Sequence, residues 1–199
     1  MSIAIYGGTF DPVHTGHVNV CKQFLKQFSV EKLYIIPAFI PPHKEIVSKT
    51  TPNQRFEMSK IAFSDLSDKI VISDMEIKRE GKSFTSDTIK SFKKSYDGII
   101  YLICGTDMYL TLETWHEFEY IFKNSIIVCA RRENSLESNK QIDVKTREYK
   151  EKYNAKIEFL NGDYIEISSS DVRENLKKYK DKIPDSIYDY IIKNHLYNS

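Results

Sequence analysis

Six short, almost continuously apolar runs constrain the fold of this chain most strongly. The most continuous is I-I-Y-L-I-C at 99–104, and segments with helical spacing separate the runs. A strand that is apolar on both of its sides is buried on both faces, as in parallel sheets that helices cover. We therefore predict an α/β fold with a doubly wound parallel sheet. The predicted strands are residues 2–6, 32–36, 69–73, 99–104, 125–130 and 156–160.

Helices are predicted where apolar residues recur every three to four positions. The clearest helix start is at 51–54, where Thr51 can cap, Pro52 suits the first helical position and Gln54 completes a capping box. We expect one domain, 1–199, whose C-terminal part, about 165–199, is helical. The predicted helices are 17–28, 52–63, 86–96, 106–112, 116–122, 142–152, 169–179 and 184–195, with a polar turn around Gly81.

Charge and cysteine usage exclude several classes of protein. The 29 Lys and Arg residues balance 28 Asp and Glu residues, so a protein that coats nucleic acid or an anionic membrane is not expected. No run approaches the ~18 apolar residues of a membrane span, and residue 1 leads into a strand without the features of a secretory leader. Three cysteines without a C-x-x-C spacing indicate reduced, buried thiols in a cytoplasmic protein, rather than a zinc site or a disulfide framework.

A loop rich in glycine and histidine, G-G-T-F-D-P-V-H-T-G-H at 7–17, follows the first predicted strand. Ligands of parallel sheets bind at the carboxyl ends of strands, so this loop is a candidate site. Its glycines allow a phosphate to approach the backbone, and the following helix start favours an anion. If the helix starts near Val13, His14 and His17 share a face, and both can donate to phosphate oxygens. The alternatives are a plain turn, or a metal site that lacks a third ligand of the usual spacing.

The same eleven residues resemble the signature of the nucleotidyltransferase superfamily that carries the (H/T)-x-G-H motif. This resemblance implies a Rossmann-like fold. It also implies that the two histidines are catalytic: they bind the triphosphate of ATP or CTP and stabilise the charge that develops as pyrophosphate leaves. The residues implied here in ATP binding are Gly7, Gly8, Thr9, Phe10, His14 and His17.

A second candidate anchor, I-S-S-S-D-V-R at 167–173, opens a predicted helix. Taken alone, the serines are most simply explained as helix caps. The same N–H groups can instead hold a phosphate that the arginine also contacts. The segment resembles the superfamily's I-S-S-T-x-(I/V)-R motif, which contacts the β- and γ-phosphates. The implied ATP contacts are Ile167, Ser169, Ser170 and Arg173, of which Arg173 is also an implied catalytic residue.

Segments in the middle of the chain resemble one branch of that superfamily, the nicotinate-nucleotide adenylyltransferases. They are P-P-H-K at 41–44, S-F-T at 83–85, G-T-D at 105–107 and T-W-H at 114–116. In that branch the lysine contacts phosphate, backbone N–H groups of the aromatic-Thr segment meet the nicotinate carboxylate, and the indole stacks on the pyridine ring. The implied mononucleotide contacts are Lys44 (also catalytic), Phe84, Thr85, Asp107, Trp115, His116 and Arg131, and Gly105 and Asp107 are further implied ATP contacts.

Each middle segment also has a purely structural interpretation. Trp115 can be a packing residue, Asp107 a helix cap, and the Pro41-Pro42 pair a stiff loop. The order of the segments along nearly the whole chain is what supports the family interpretation. The proline-rich loop 38–50 is expected to become ordered when substrate binds.

The resemblance implies that the chain transfers AMP from ATP to nicotinate mononucleotide, giving deamido-NAD and pyrophosphate in NAD biosynthesis. The attacking phosphate is already anionic, so no Ser-His-Asp arrangement is required. Mg²⁺ is implied as the cofactor, bridging phosphates and keeping several waters, and no acidic metal cluster is needed for it. The implied partners are the two small substrates, without nucleic acid or membrane, and a homo-oligomer stays open.

Three alternatives to this function remain at the level of the sequence. The acceptor can be nicotinamide mononucleotide, alone or in a dual enzyme, because two departures from the branch concern the acceptor. Ala38-Phe39 stands where an asparagine is common, and Arg132-Glu133 stands where Pro-Gly is usual. The chain can also be another nucleotidyltransferase, for phosphopantetheine or glycerol phosphate, or a non-catalytic nucleotide-binding module.

Overall fold

The predicted strands form one sheet in which every neighbouring pair is parallel. The computed structural model describes residues 1–42, 50–131 and 136–197. Its strands are β1 (Ser2–Gly8), β2 (Lys32–Pro37), β3 (Ile70–Ile72), β4 (Ile99–Gly105), β5 (Ile126–Ala130) and β6 (Lys156–Phe159). They lie in the order β3-β2-β1-β4-β5-β6, which confirms the predicted doubly wound parallel sheet.

Nine α-helices occur among the described residues, and most of them connect one strand to the next. They are α1 (Thr15–Gln27), α2 (Pro52–Phe63), α3 (Met75–Arg79), α4 (Thr85–Lys93), α5 (Thr106–Tyr109), α6 (Phe118–Asn124), α7 (Leu136–Tyr153), α8 (Ser169–Glu174) and α9 (Asp185–Lys193). Two short 3-10 helices, Leu112–Thr114 and Lys180–Lys182, lie between them.

The sheet separates two hydrophobic cores, because successive side chains of a strand point to opposite faces. On β1, Ala4 and Tyr6 belong to the core that contains buried residues of α1, α2, α8 and α9. Their neighbours Ile3 and Ile5 belong to the second core, with buried residues of α4, α5, α6 and α7. Helices therefore cover both faces, as the apolar character of the strands predicts.

The predicted start of α2 is confirmed in detail. The Thr51 hydroxyl accepts a hydrogen bond from the Gln54 N–H at 3.2 Å, and the Gln54 side chain accepts one from the Thr51 N–H at 2.8 Å. This capping box satisfies two N–H groups that have no partner within the helix. It fixes the beginning of a helix whose buried face reaches the ends of β1 and β2.

Three helices depart from the prediction. α7 begins at Leu136, whereas its predicted start is residue 142. The other two depart for local reasons. α3 occupies part of the segment that was predicted as a turn, because a helix of five residues is too short to show a hydrophobic period. The turn itself follows α3, with Glu80 at φ 57° and Gly81 at φ 69°. α8 ends at Glu174 rather than at 179, because the Asn175 side chain accepts a hydrogen bond from the Lys178 N–H at 3.0 Å and competes with helix continuation.

The strand order places a crevice at the carboxyl ends of β1 and β4. These strands are neighbours, but β1 leads through α1 to one half of the sheet and β4 leads through α5 and α6 to the other. The order reverses between them, and open parallel sheets bind ligands at such a point. No helix of the described ranges is long and apolar enough to cross a membrane.

Replacing Thr51 with alanine tests the capping box. We expect the free energy of unfolding to fall by about 1 kcal/mol, because the N-cap hydroxyl is lost. Thr51→Ser is the matched control, since it keeps the hydroxyl and should retain most of the stability. Urea unfolding of the three proteins measures the difference. Equal stability of Thr51→Ala and wild type would show that the box contributes nothing.

Candidate active site

Two cavities open at this crevice and share a wall. We call the first the aromatic cavity; its lining includes Ser83, Phe84, Thr85, Trp115 and His116. We call the second the histidine cavity; its lining includes His14, His17, Ser169, Ser170 and Arg173. Both cavities are lined by Gly7, Gly8, Thr9, Pro41 and Met108. The end of β1 thus forms the boundary between an apolar, aromatic cavity and a polar one.

His14 and His17 together cap the start of α1. His14 is the N-cap of α1, and its Nδ1 accepts a hydrogen bond from the His17 N–H at 3.4 Å. The His17 Nδ1 accepts one in return from the His14 N–H, at 3.3 Å. The two rings are stacked, with centroids 3.6 Å apart and an angle of 21° between their planes. The histidines therefore form a capping box of their own.

This capping box selects one tautomer for both rings. A neutral imidazole has one N–H and one acceptor nitrogen, and in each ring Nδ1 is the acceptor. The proton of each neutral ring must then lie on Nε2. Both residues line the histidine cavity, and each neutral ring has one N–H group that can donate to an anion bound there.

Close packing around the loop requires glycine at two positions. A Cβ on Gly16 would lie 3.0 Å from the His14 Nδ1 and 3.1 Å from the Ile167 Cγ2. A Cβ on Gly8 would lie 2.9 Å from the ring of Phe10. The Phe10 ring is itself buried and contacts the His17 ring at 5.1 Å between centroids. A larger residue at Gly16 would displace the ring of His14 itself. A larger residue at Gly8 would displace the Phe10 ring, which contacts His17.

The second predicted anchor is bound directly to the first loop. Arg173 donates to the Asp11 carbonyl at 2.6 Å and to the Ser170 hydroxyl at 3.0 Å. The Ser169 hydroxyl donates to the Pro12 carbonyl at 2.9 Å. These bonds hold the start of α8 and the 7–17 loop against each other on one side of the histidine cavity. The structure therefore brings together the two motifs that are far apart in the sequence.

Helix capping accounts for one serine of the 168–170 run. The Ser168 hydroxyl accepts from the Asp171 N–H at 3.1 Å, and the Asp171 carboxylate accepts from the Ser168 N–H at 2.9 Å and from its hydroxyl at 2.6 Å. The Ser168 hydroxyl and N–H lower the pKa of Asp171. The cap interpretation thus applies to Ser168, whereas Ser169 and Ser170 contact the loop and the arginine.

The aromatic cavity combines flat rings with a helix start. The rings of Phe84 and His116 are 4.4 Å apart between centroids, and Trp115 lines the same space. Phe84 is the N-cap of α4 and makes no side-chain cap, and Thr85, the first residue of the helix, lines the cavity. A helix N-terminus favours a negative group. The cavity therefore suits a planar ring that carries an anionic substituent.

Glu76, which the sequence did not indicate, is a buried carboxylate in the wall of the aromatic cavity. It accepts a hydrogen bond from the Thr88 hydroxyl at 2.6 Å, and burial raises its pKa. Ser83 also bonds to Glu76, and the Ser83 hydroxyl accepts from the Phe39 N–H at 2.8 Å. Glu76 thereby links the segment that follows β2 to the segment that begins α4. Both segments line the same cavity, so this network sets its width.

Arg55 is the second residue that the sequence analysis missed. Its fully buried guanidinium donates to the carbonyls of Thr9 at 3.0 Å, Ala38 at 2.6 Å and Phe39 at 3.0 Å. Burial lowers its pKa, and the nearby Asp11 carboxylate opposes that shift. A usable signal existed, because Arg55 shares the buried face of α2 with Met58, Ser59 and Phe63 at spacings of three, four and eight residues.

Three predicted site residues lie elsewhere or are not described. Asp107 lines a third cavity, with Ile167 and Ser168, which adjoins the histidine cavity, and it does not line the aromatic cavity. Gly105 lines the histidine cavity. Arg131 lines neither the aromatic cavity nor the histidine cavity. Its guanidinium lies 4.4 Å from the centroid of the Phe159 ring. Lys44 falls outside the described residues, as does the Arg132-Glu133 pair.

Comparisons with known proteins find similar sequences over nearly the whole chain. A family model described as cytidylyltransferase-like matches residues 5–175. A probable nicotinate-nucleotide adenylyltransferase of Clostridium tetani is 36% identical over 199 residues, covering 98% of each chain. A protein of the same name from Clostridium botulinum is 38% identical over 198 residues, again covering 98% of each.

A solved structure also resembles this fold. It is a Plasmodium falciparum nicotinic acid mononucleotide adenylyltransferase complexed with NaAD, and it superposes with a TM-score of 0.75. The match covers 99% of this chain and 97% of the other, at 21% identity. At that identity the likeness concerns the fold, and it extends over nearly the whole length of both chains.

Two substitutions of His17 separate its binding chemistry from its role in the helix cap. We expect His17→Ala to lower kcat for pyrophosphate release from ATP by about 10²- to 10³-fold, because one preorganised donor is lost. Helix stability should also fall, by about 1 kcal/mol, because half of the capping box disappears.

The matched variant is His17→Gln, since glutamine at this position accepts from the N-cap N–H in ordinary capping boxes. It should regain the thermal stability that His17→Ala loses while kcat stays low. Steady-state kinetics and thermal unfolding of both variants test this. Wild-type kcat in His17→Ala contradicts the donor role of His17, whereas wild-type kcat in His17→Gln alone would show that an amide N–H can replace the imidazole as donor.

Proposed function

The chain belongs to the cytidylyltransferase-like family, among the nicotinate-nucleotide adenylyltransferases, and we propose that it transfers AMP from ATP to nicotinate mononucleotide. The products are deamido-NAD and pyrophosphate. One observation carries this proposal: two cavities of different chemistry share the backbone of Gly7, Gly8 and Thr9. Two nucleotides bound in them would bring their phosphates together over that backbone.

The histidine cavity supports binding of the ATP triphosphate. His14 and His17 would donate through Nε2–H, and Arg173 would contribute a fixed positive charge from the start of α8. These groups are already ordered by bonds to the backbone, so their orientation does not depend on the ligand. Donors fixed in this way stabilise charge that grows on the leaving pyrophosphate.

The reaction is an in-line displacement at the α-phosphorus of ATP. An oxygen of the mononucleotide phosphate forms the new P–O bond as the bond from the α-phosphorus to the bridging oxygen breaks. The bonding electron pair leaves with pyrophosphate. The attacking oxygen is anionic at neutral pH, so no protein base is required, and positioning together with charge stabilisation provides the catalysis.

The aromatic cavity supports binding of the pyridine nucleotide. Trp115 offers a flat surface for the pyridine ring, and the first N–H groups of α4 offer donors to the ring's carboxylate. A carboxamide would gain less from the helix dipole than a carboxylate does. This difference is our reason for proposing nicotinate rather than nicotinamide mononucleotide as the preferred acceptor.

The remaining assignments are part of the same proposal. Asp107, beside Ile167 in the adjoining cavity, suits a ribose hydroxyl of ATP, since a carboxylate accepts hydrogen bonds. Arg131 would reach the mononucleotide only by leaving the Phe159 ring, so its contact with substrate stays a prediction. The contact between Lys44 and phosphate also stays a prediction.

We propose Mg²⁺ as the metal that accompanies ATP. The lining of the histidine cavity includes histidines, an arginine, serines and one carboxylate, that of Asp11, so most of its polar side chains fit phosphate oxygens rather than a cation. Mg²⁺ usually binds through substrate phosphates and waters, and this donor set is compatible with that mode. Among the described residues, no group of three or more His, Cys, Asp or Glu side chains could hold a metal ion. Bound in this way, Mg²⁺ would neutralise phosphate charge.

We further propose that residues 1–199 act as one domain in the cytoplasm. The buried residues of α8 and α9 belong to the same core as those of β1 and α1, which supports one folding unit. Cys21, Cys104 and Cys129 are free and buried. Cys104 and Cys129 lie in register on adjacent strands, and buried thiols outside a disulfide framework are typical of proteins from a reducing compartment.

An acceptor comparison tests the proposed reaction. ATP and Mg²⁺ are supplied with nicotinate mononucleotide, nicotinamide mononucleotide or phosphopantetheine, and pyrophosphate release and dinucleotide formation are measured. We expect the highest kcat/KM with nicotinate mononucleotide, together with formation of deamido-NAD. Equal rates with the nicotinamide form indicate a dual enzyme, and release with phosphopantetheine alone contradicts the proposed acceptor.

Substitution of Trp115 tests which cavity holds the pyridine ring. We expect Trp115→Ala to raise KM for nicotinate mononucleotide about 10- to 100-fold, because stacking on an aromatic side chain is lost. KM for ATP should stay within about twofold, since Trp115 does not line the histidine cavity. Trp115→Phe keeps an aromatic face and should recover most of the affinity. A rise in KM for ATP alone would contradict this assignment.

A further inference from the structure

The Asp11 carboxylate is buried in the wall of the histidine cavity and joins four parts of the chain. Its side chain is 4% exposed. The Oδ1 atom accepts from the Tyr197 hydroxyl at 2.6 Å and from the Thr50 hydroxyl at 2.7 Å. The Oδ2 atom lies 3.9 Å from the Arg173 Nη1. The residues that meet here belong to the 7–17 loop, the segment before α2, α8 and the segment after α9.

The contact between Asp11 and Arg173 is unusual in its geometry. Arg173 donates at 2.6 Å to the backbone carbonyl of Asp11, whereas the two charged side chains stay 3.9 Å apart. A buried carboxylate near a guanidinium would ordinarily form the closer, bidentate pair. Here two hydroxyl donors occupy Oδ1 instead. Because these hydrogen bonds satisfy Oδ1, the carboxylate attracts the Arg173 guanidinium less strongly. The positive charge of Arg173 therefore stays directed to the histidine cavity.

The segment that follows α9 places Tyr197 next to Asp11. Its backbone has a φ of 58°, in the left-handed region that a tyrosine rarely adopts. Burial raises the pKa of its hydroxyl, and the Asp11 charge raises it further. The hydroxyl therefore remains protonated at neutral pH and acts as the donor. Tyr197 does not line the histidine cavity or the aromatic cavity, so it is not in a position to contact substrate there.

We propose that Tyr197 is a positioning residue for adenylyl transfer, acting through Asp11 on Arg173. The hydrogen bond to Oδ1 holds the Asp11 carboxylate away from the guanidinium. It also keeps the 7–17 loop in its position against α8. Without it, Asp11 draws Arg173 into a closed ion pair, and the positive charge no longer faces the phosphates. This inference rests on the proposed function for its kinetic readout.

Tyr197→Phe tests the inference because it removes one hydroxyl and keeps the ring. We expect kcat to fall about tenfold, since small misplacement of a catalytic group is costly. KM for nicotinate mononucleotide should stay within twofold, because the aromatic cavity is unaffected. The dissociation constant of pyrophosphate, measured by calorimetry without any acceptor, should rise about tenfold. A role in stability alone would not produce this pattern.

The matched control is Tyr109→Phe. The Tyr109 hydroxyl also lies in a core and also makes a 2.6 Å hydrogen bond, to Thr146, but on the opposite face of the sheet. This variant should keep wild-type kcat and pyrophosphate affinity. An unchanged kcat in Tyr197→Phe, an equal fall in both variants, or a change confined to KM for the mononucleotide overturns the proposal.

Thr50→Val provides a second route to the same carboxylate oxygen, should Tyr197→Phe fold poorly. It should lower kcat in the same direction, and the double variant should lose less than the product of the two single losses, because both hydroxyls act on Oδ1. If the fall in kcat of the double variant equals the product of the two single falls, the two hydroxyls do not act through the same oxygen atom. A wild-type protein that makes no deamido-NAD contradicts the proposed function instead, while the pyrophosphate affinities still test Tyr197.

Discussion

The guanidinium of Arg55 supports the whole site, because it holds the carboxyl ends of two strands at once. The carbonyls of Thr9, Ala38 and Phe39 lie just beyond the last residues of β1 and β2, and buried carbonyls require a donor. Arg55 supplies three bonds, to Thr9, Ala38 and Phe39. The wall between the two cavities and the entrance to the aromatic cavity therefore depend on one side chain of α2. A buried cation is tolerated here because each bond replaces one to water and because Asp11 lies close by.

Features whose causes lie close together in the sequence could be predicted. The six strands follow from apolar runs, and the start of α2 follows from four consecutive residues. The proximity of His14 and His17 also follows from their spacing of three residues, although His14 precedes α1 as its N-cap and does not share a helix face with His17. What could not be foreseen is that the histidines cap their own helix, because histidine is not among the usual N-cap residues. The end of α8 was missed for a similar reason: a single side chain, that of Asn175, competes with the helix.

Features that depend on distant partners could not be predicted. The Tyr197 hydroxyl and Asp11 are 186 residues apart in the sequence, and neither residue shows a periodic or motif signal for the other. Glu76 likewise lies on a helix too short to have a recognisable pattern. Two residues were each predicted to contact the mononucleotide, and the structure places them differently. Trp115 lines the aromatic cavity, whereas Arg131 packs on Phe159. Order along the chain was thus a better guide to the site than any single residue.

The mutual capping of His14 and His17 has a consequence for how affinity is distributed. Side chains that become ordered only when a ligand arrives lose rotational entropy at that moment, and the observed affinity is lower by that amount. Here the two imidazoles are stacked and bonded to the backbone as part of forming α1. Their entropy is lost on folding, so the interaction with a triphosphate is available without reordering these rings. The same two hydrogen bonds therefore stabilise the start of α1 and fix the orientation of the rings before a ligand binds.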